Sequence, residues 1–216
     1  MTVLQLYLQR HRWNFLFLFL GILLPLFSFG YLADEVLEKE SFIFDLPLLL
    51  FLHSHANSTV DALMLFFTLA GSAMVLLPFD VALGLFLLRK SRLFHAVFWI
   101  VAVSGAELLN LFAKHFYGRI RPDFWVSAVH ETSYSFPSGH AMHSMAVVTA
   151  LVGLTWRTRW RLPMIVFGAI FVAMVGLSRV YFGVHFPTDI LAGWSAALAW
   201  VTGVHFIFQA YRKSLI

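Results

Sequence analysis

Residues 178–193 read SRVYFGVHFPTDILAG and lie between two strongly apolar runs. The stretch is short, but it contains Arg179, His185 and Asp189. About 20 apolar residues are enough for a helix to cross the roughly 30 Å hydrocarbon core of a bilayer. The stretch is therefore predicted to be a polar turn that joins two membrane-spanning helices.

The composition of the whole chain agrees with a membrane protein. Of 216 residues, 60% are hydrophobic and only 12% are charged, whereas a soluble domain normally carries about 25% charged residues. The net charge of +4 comes from basic residues scattered in short clusters, which argues against a nucleic-acid partner. There is no cysteine and hence no disulfide framework. The sequence predicts a single integral membrane domain over 1–216.

Six apolar stretches are predicted to span the membrane. The first is longer than the apolar region of a signal peptide and is expected to be retained. The second is long enough for one tilted span and too short for two, and Pro78 is expected to kink it. The predicted spans are 13–33, 60–88, 93–113, 141–156, 162–178 and 190–208.

The basic clusters give the orientation. With six spans, the clusters at 10–12, 89–92, 157–161 and 212–213 all fall on one side, so both termini are predicted to be cytoplasmic. The first outer loop holds the run FDLPLLLFLH, too short for a span and predicted to be an interfacial or re-entrant helix. The predicted fold class is an all-α, six-transmembrane-helix bundle with a short interfacial helix in the first outer loop.

Polar clusters lie at the outer ends of the later spans. Two spans separate the loop 115–137 from the loop 179–187, so the two loops must share one face of the membrane. Taken alone, Lys114 or Arg119 would be interpreted as a boundary residue whose cation snorkels to the interface. The cations together predict an anion site, because arginine matches phosphate oxygens bidentately and lysine adds a point charge. They are Lys114, Arg121 and Arg179.

The tetrapeptide PSGH at 137–140 opens a predicted span. Ser138, Gly139 and His140 therefore lie at a helix N-terminus, where unpaired N–H groups and the helix dipole favour phosphate. Glycine also lets the backbone approach a ligand closely.

His185 and Asp189 are four residues apart, with Pro187 between them. Proline favours the first position of a helix, which places Asp189 in the first turn of the last span. An aspartate bonded to one ring nitrogen fixes the tautomer and leaves the other nitrogen as nucleophile or base. The alternative is that Asp189 only stabilises the helix N-terminus.

Three ordered motifs resemble, without a gap, the signature of the type 2 phosphatidic acid phosphatase (PAP2) superfamily, in its membrane-bound bacterial branch. They cover about a third of the chain, and the six-span layout resembles that branch over nearly all of it. The motifs are Lys114-x6-Arg121-Pro122, Pro137-Ser138-Gly139-His140 and Ser178-Arg179-x5-His185-x3-Asp189.

The resemblance implies a lipid phosphatase whose site opens at the outer, non-cytoplasmic leaflet of the cell membrane. His185 would be the nucleophile, Asp189 would orient it, and His140 would protonate the leaving oxygen and then activate water. The phosphate would be held by Lys114, Arg121, Arg179, Ser138 and Gly139. No cofactor or metal is implied. Candidate substrates are undecaprenyl diphosphate, phosphatidylglycerophosphate and phosphatidate, with a preference for undecaprenyl diphosphate or a broad specificity.

Two other functions remain open from the residues. A non-hydrolytic transporter or binding protein for anionic lipids could use the same cations. A zinc hydrolase could use His140, His143 and His185, although their spacing does not match a zinc motif. Glu107 lies two turns before Lys114 and is expected to orient it, whereas Asp80 has no assigned role. The oligomeric state does not follow from the sequence.

Overall fold

The computed structural model describes residues 15–39 and 42–214, and the regular elements in this part of the chain are all helices. The predicted all-α class is therefore confirmed. The basic residues before the first span lie outside the described residues. In order, the helices are α1 (Phe15–Leu37), α2 (Asp45–Ser54), α3 (Ser58–Ala70), α4 (Ala73–Arg89), α5 (Leu93–Tyr117), α6 (Gly139–Thr155), α7 (Arg161–Tyr181) and α8 (Pro187–Ser214).

Several of these helices could cross a membrane. By length and composition, α1, α5, α7 and α8 qualify, and the pair α3 and α4 adds a fifth candidate if it is counted as one span. Helix α6 has 17 residues, which is at the lower limit for a span. The described part of the chain thus contains four to five candidate spans, and the protein is a multi-pass membrane protein.

The pair α3 and α4 is bent by 42°. The break falls at Gly71 and Ser72, which the sequence did not predict, whereas Pro78 lies inside α4. A Cβ atom on Gly71 would lie 2.5 Å from Cγ1 of Val175 in α7. The bend therefore occurs where the end of α3 approaches α7 too closely for any side chain.

The core of the bundle surrounds α6, which packs against α5, α7 and α8. The contact faces are rich in alanine, and small residues let membrane helices approach closely. Large apolar side chains such as Phe27 and Phe112 point outward, as expected of a surface in contact with lipid. The buried alanines of this core cluster are Ala96, Ala102, Ala106, Ala146, Ala150 and Ala197.

The short helix α2 lies between α1 and α3. It packs against α7 and α8 and buries Asp45 and Leu49, while Leu50 and Phe51 are exposed. One face of α2 is therefore fixed to the bundle.

The loops that follow α5 and α7 meet at one end of the bundle. Helix α5 ends at Gly118, whose φ of 57° is the left-handed conformation that glycine adopts without strain. The loop 118–138 then reaches the loop 182–186, where Arg121 Nη1 donates to the carbonyl of Val184 at 2.7 Å. The prediction that these loops lie together is confirmed.

Candidate active site

All eight predicted site residues lie at this end of the bundle. The last turns of α5 and α7 supply Lys114 and Arg179. The starts of α6 and α8 supply Ser138, Gly139, His140 and Asp189, and the two loops supply Arg121 and His185. Neighbouring helices run in opposite directions, which brings C-terminal cations beside N-terminal N–H groups.

The ring of His185 is held at both nitrogens. Nδ1 lies 3.2 Å from Asp189 Oδ2, and Nε2 lies 2.9 Å from Arg121 Nη1. Because a guanidinium can only donate, Nε2 must accept, so Nδ1 carries the proton and donates to Asp189. This tautomer leaves the Nε2 lone pair directed toward the cations, as a nucleophile requires.

Asp189 is fully buried and surrounded by donors. Its Oδ2 atom accepts hydrogen bonds from the hydroxyl of Ser135 and, at 2.9 Å, from the backbone N–H of Phe186. Its own carbonyl accepts from Ser138 N at 3.0 Å. The carboxylate and the start of α6 are therefore fixed relative to each other.

The expected phosphate-holding cations share an acceptor that the sequence did not predict. The buried guanidinium of Arg179 donates to Glu131 Oε1, and Arg121 Nη2 lies 3.5 Å from Glu131 Oε2. His140 Nδ1 is 4.0 Å from the same carboxylate. Two oxygens of Glu131 thus lie among the groups proposed to hold phosphate oxygens.

Loop oxygens hold the other end of this cluster. Lys114 Nζ donates to the carbonyl of Tyr134 and lies 3.4 Å from the hydroxyl of Ser133. Arg121 Nε donates to the Ser133 carbonyl at 2.7 Å. Loop oxygens rather than Glu107 therefore orient Lys114.

Glu107 contacts His143 instead. His143 Nδ1 lies 3.1 Å from Glu107 Oε1, and its Nε2 lies 2.7 Å from Asp80 Oδ2. His143 is buried between these two carboxylates and points away from a zinc site shared with His140 and His185. Asp80, Glu107 and His143, from α4, α5 and α6, form a polar triad inside the bundle.

The start of α6 has the features of an anion site. Ser138 is the N-cap and its hydroxyl accepts from Ala141 N. A Cβ on Gly139 would lie 3.2 Å from Asn110 Oδ1, and Asn110 is itself held by the Pro137 carbonyl at 3.2 Å. A side chain at Gly139 would crowd Asn110, so glycine favours this packing as well.

The imidazole of His185 is neutral. Burial lowers its pKa well below the ordinary 6.5, and the positive charges of Arg121, Arg179 and Lys114 lower this pKa further. A neutral imidazole retains the lone pair with which it would attack phosphorus.

Sequence reasoning missed Arg119. The cation of Arg119 was expected to snorkel to the membrane boundary, but its side chain is only 13% exposed. It donates to Asp189 Oδ1 at 2.7 Å and to Asp45 Oδ2 at 3.1 Å. The only signal was its place two residues before Arg121, and no spacing rule links it to an aspartate at the start of α2.

Two cavities adjoin the site. A polar cavity of about 510 Å³ is lined by Lys114, Arg121 and Ser133, among others. An apolar groove of about 830 Å³ runs along α1, α5 and α8 and includes Pro137 and Met142, next to the start of α6. The polar cavity is therefore lined by two of the site cations, whereas the apolar groove reaches the start of α6 and shares no lining residue with the polar cavity.

Comparisons with known proteins agree with this arrangement. The chain is 30% identical to phosphatidylglycerophosphatase B of Bacillus subtilis over 171 residues, which cover 77% of this chain and 78% of that protein. It is 29% identical to an undecaprenyl-diphosphatase of Sulfolobus acidocaldarius over 180 residues, covering 80% and 83%.

The fold has a counterpart among solved structures. The crystal structure of a transmembrane PAP2-type phosphatidylglycerolphosphate phosphatase from Bacillus subtilis superposes with a TM-score of 0.74 at 26% identity, covering 89% of this chain and 97% of that one. The family model of the PAP2 superfamily matches residues 92–213, which include every residue of the predicted site. The chain therefore belongs to the PAP2 superfamily.

Proposed function

We propose that this protein is an integral membrane phosphatase that hydrolyses a phosphomonoester or diphosphate of a lipid. The observation that supports the proposal is the position of His185 between two partners. Its Nδ1 lies 3.2 Å from Asp189 Oδ2, and its Nε2 lies 2.9 Å from Arg121 Nη1. An oriented neutral imidazole beside buried cations is the arrangement that nucleophilic attack on a phosphoryl group needs. Membership of the PAP2 superfamily supports the same reaction.

The proposed first step transfers the phosphoryl group to His185. Nε2 attacks phosphorus while Arg121 Nη1 moves from Nε2 to a phosphoryl oxygen, and the bond from phosphorus to the lipid oxygen breaks. His140 gives its proton to that leaving oxygen. Arg179, Lys114 and the start of α6 stabilise the charge on the phosphoryl oxygens, so positive charge from the protein serves where other phosphatases use metal ions.

The proposed second step returns the enzyme to its starting form. His140, now neutral, takes a proton from water, and the resulting hydroxide oxygen attacks phosphorus. The bond between phosphorus and Nε2 breaks and inorganic phosphate leaves. In both steps the proton stays on Nδ1 of His185, and Asp189 accepts the hydrogen bond from it.

A lipid substrate could place its tail in the apolar groove, which reaches Pro137 at the start of α6 and at about 830 Å³ could hold part of a long chain. Its phosphate would lie among the site cations. Candidate substrates are undecaprenyl diphosphate, phosphatidylglycerophosphate and phosphatidate. The names of the two relatives compared above include the first two of these classes.

We further propose one membrane domain over 1–216 with six spans, counting α6 and taking α3 and α4 as a single broken span. A helix of 17 residues rises about 25 Å, which a locally thinned bilayer accommodates. Both termini would then be cytoplasmic and the site would face the other side, with α2 at that interface. The clusters at 89–92 and 157–161 lie at the end of the bundle opposite the site, as the positive-inside rule requires.

The test is phosphate release by purified protein in detergent from these three lipids. We expect hydrolysis of at least one, loss of turnover in His185→Ala, activity in EDTA and inhibition by vanadate. If none of the three lipids is hydrolysed, the non-hydrolytic lipid transporter is favoured. Loss of activity in EDTA would favour the zinc hydrolase.

A further inference from the structure

Arg119 connects two buried aspartates. Its Nη1 donates to Asp189 Oδ1 and to the Thr188 hydroxyl, both at 2.7 Å, and its Nη2 donates to Asp45 Oδ2 at 3.1 Å. The guanidinium also stacks over the ring of Phe186, 4.3 Å from its centre. Both Nη atoms of the guanidinium are occupied, so Arg119 is directed at other protein groups rather than at a ligand.

Asp45 fixes the other end of this arrangement. It is buried at the start of α2 and accepts from Thr188 N at 3.0 Å and from the Thr188 hydroxyl at 2.7 Å. Burial raises its pKa, while the bonds from Thr188 and the charge of Arg119 act in the opposite direction. The helix of the first outer loop is thereby tied to the residue next to Asp189.

The two oxygens of Asp189 have separate partners. Oδ1 accepts from Arg119, whereas Oδ2 accepts from His185 Nδ1, Ser135 and the Phe186 backbone. A charge-assisted bond to Oδ1 fixes the plane of the carboxylate and pairs its negative charge. Both effects bear on the proton that His185 carries on Nδ1.

We propose that Arg119, oriented by Asp45, is a positioning residue that keeps the Nδ1 proton on His185 throughout the reaction. The inference rests on the proposed function. When Nε2 bonds to phosphorus, the ring becomes cationic and its Nδ1 proton becomes more acidic. The negative charge of Asp189 is already paired with Arg119 at 2.7 Å, so the carboxylate accepts the hydrogen bond from Nδ1 without taking the proton, and the phosphohistidine stays cationic.

The protonation state matters most in the second step. When water attacks phosphorus, the electron pair of the bond between phosphorus and Nε2 returns to the ring. A cationic ring becomes neutral imidazole and leaves readily, whereas a neutral ring would leave as an anion. Loss of Arg119 should therefore slow breakdown of the phosphoenzyme more than its formation.

The experiment compares Arg119→Gln, Arg119→Lys and wild type with a ³²P-labelled lipid substrate that wild type hydrolyses. For Arg119→Gln we expect kcat to fall about tenfold, as for the loss of one charge-assisted hydrogen bond, with little change in KM. The fraction of enzyme trapped as acid-labile phosphohistidine should rise. Arg119→Lys keeps the charge without the fork and should lie between the two.

The matched control is Arg89→Gln, at the opposite end of the bundle, which should behave as wild type. Equal kcat and equal trapped phosphoenzyme in Arg119→Gln and wild type would overturn the inference while leaving the phosphatase function intact. An inactive wild type would instead contradict the proposed function.

A second variant covers the case in which Arg119 variants do not fold. Asp45→Asn keeps the shape of the side chain and can still accept from Thr188, but it loses the charge that orients Arg119. We expect a lower kcat and more trapped phosphoenzyme than in wild type. Wild-type values of both in folded Asp45→Asn would also overturn the inference.

Discussion

Glu131 Oε1 accepts a hydrogen bond from Arg179, so a carboxylate from the loop 118–138 lies on the most buried of the proposed phosphate-binding cations. The same side chain is 3.5 Å from Arg121 and 4.0 Å from His140. A phosphate group that binds these cations must displace it. Glu131 is therefore an internal competitor of anionic ligands.

We expect Glu131→Gln to bind inorganic phosphate and vanadate about tenfold more tightly, because one charged hydrogen bond contributes about 1.5 kcal/mol or more. The measurement is the inhibition constant of each anion in a phosphate-release assay with a lipid substrate. Glu38→Gln, an exposed carboxylate at the end of α1, should leave both constants unchanged. Weaker inhibition in Glu131→Gln would show that the carboxylate assists binding instead.

The acid limit of His185 reactivity should lie below pH 6.5. Protonation removes the lone pair on Nε2, and burial with nearby positive charge lowers the pKa of His185, so the neutral form persists as the pH falls through 6.5. The measurement is phosphoenzyme formation against pH in His140→Ala with p-nitrophenyl phosphate, whose good leaving group needs no proton.

Arg121→Gln in the same background tests the cause of this pKa shift. Removing one positive charge raises the pKa of His185, so the acid limit should move to higher pH even though less phosphoenzyme forms. An acid limit near pH 6.5 in His140→Ala with Arg121 intact would contradict the buried, positively charged environment assigned to His185.

The sequence predicted which residues lie together at this end of the bundle because short motifs at helix ends carry them. The parity of the spans places these ends together, so Lys114, His140 and His185 could be assigned to one face without coordinates. What parity cannot give is the path of an irregular loop. Glu131 lies in a loop without periodicity, and its contact with Arg179 depends on how that loop folds back.

The link from Arg119 to Asp45 could not be predicted for a similar reason. The two residues are joined only because α2 packs against α7 and α8, a tertiary contact that no local pattern encodes. The sequence also did not predict the break between α3 and α4. Proline is a strong local signal, but packing of Gly71 against Val175 placed the break earlier.

The triad of Asp80, His143 and Glu107 should contribute to stability rather than to chemistry. His143 lies between both carboxylates at 2.7 and 3.1 Å, and a buried polar group left without its partner costs about 1–3 kcal/mol. We expect His143→Leu to lower the thermal unfolding temperature in detergent markedly. Replacing Asp80 and Glu107 by leucine as well should recover much of the loss, since no unpaired charge would then remain.

Glu107→Gln gives the matching test of activity. Lys114 is held by Ser133 and Tyr134, so we expect kcat and KM to stay close to wild type while stability falls slightly. A loss of phosphate affinity in this variant would show that Glu107 orients Lys114 after all.

The apolar groove predicts a difference between lipid and small substrates. Ala196 of α8 lines it, and a tryptophan at this position would fill much of the space proposed for the lipid tail. We expect Ala196→Trp to raise KM for the lipid about tenfold, which corresponds to about 1.4 kcal/mol of lost apolar contact. Turnover of p-nitrophenyl phosphate should not change, because that ester has no lipid tail and the substitution leaves the phosphate-binding residues in place. Ala56→Trp, in the exposed turn between α2 and α3 and outside the groove, is the control for a bulky substitution. Equal loss with both substrates would place the effect on the catalytic residues and would argue against a tail site in this groove.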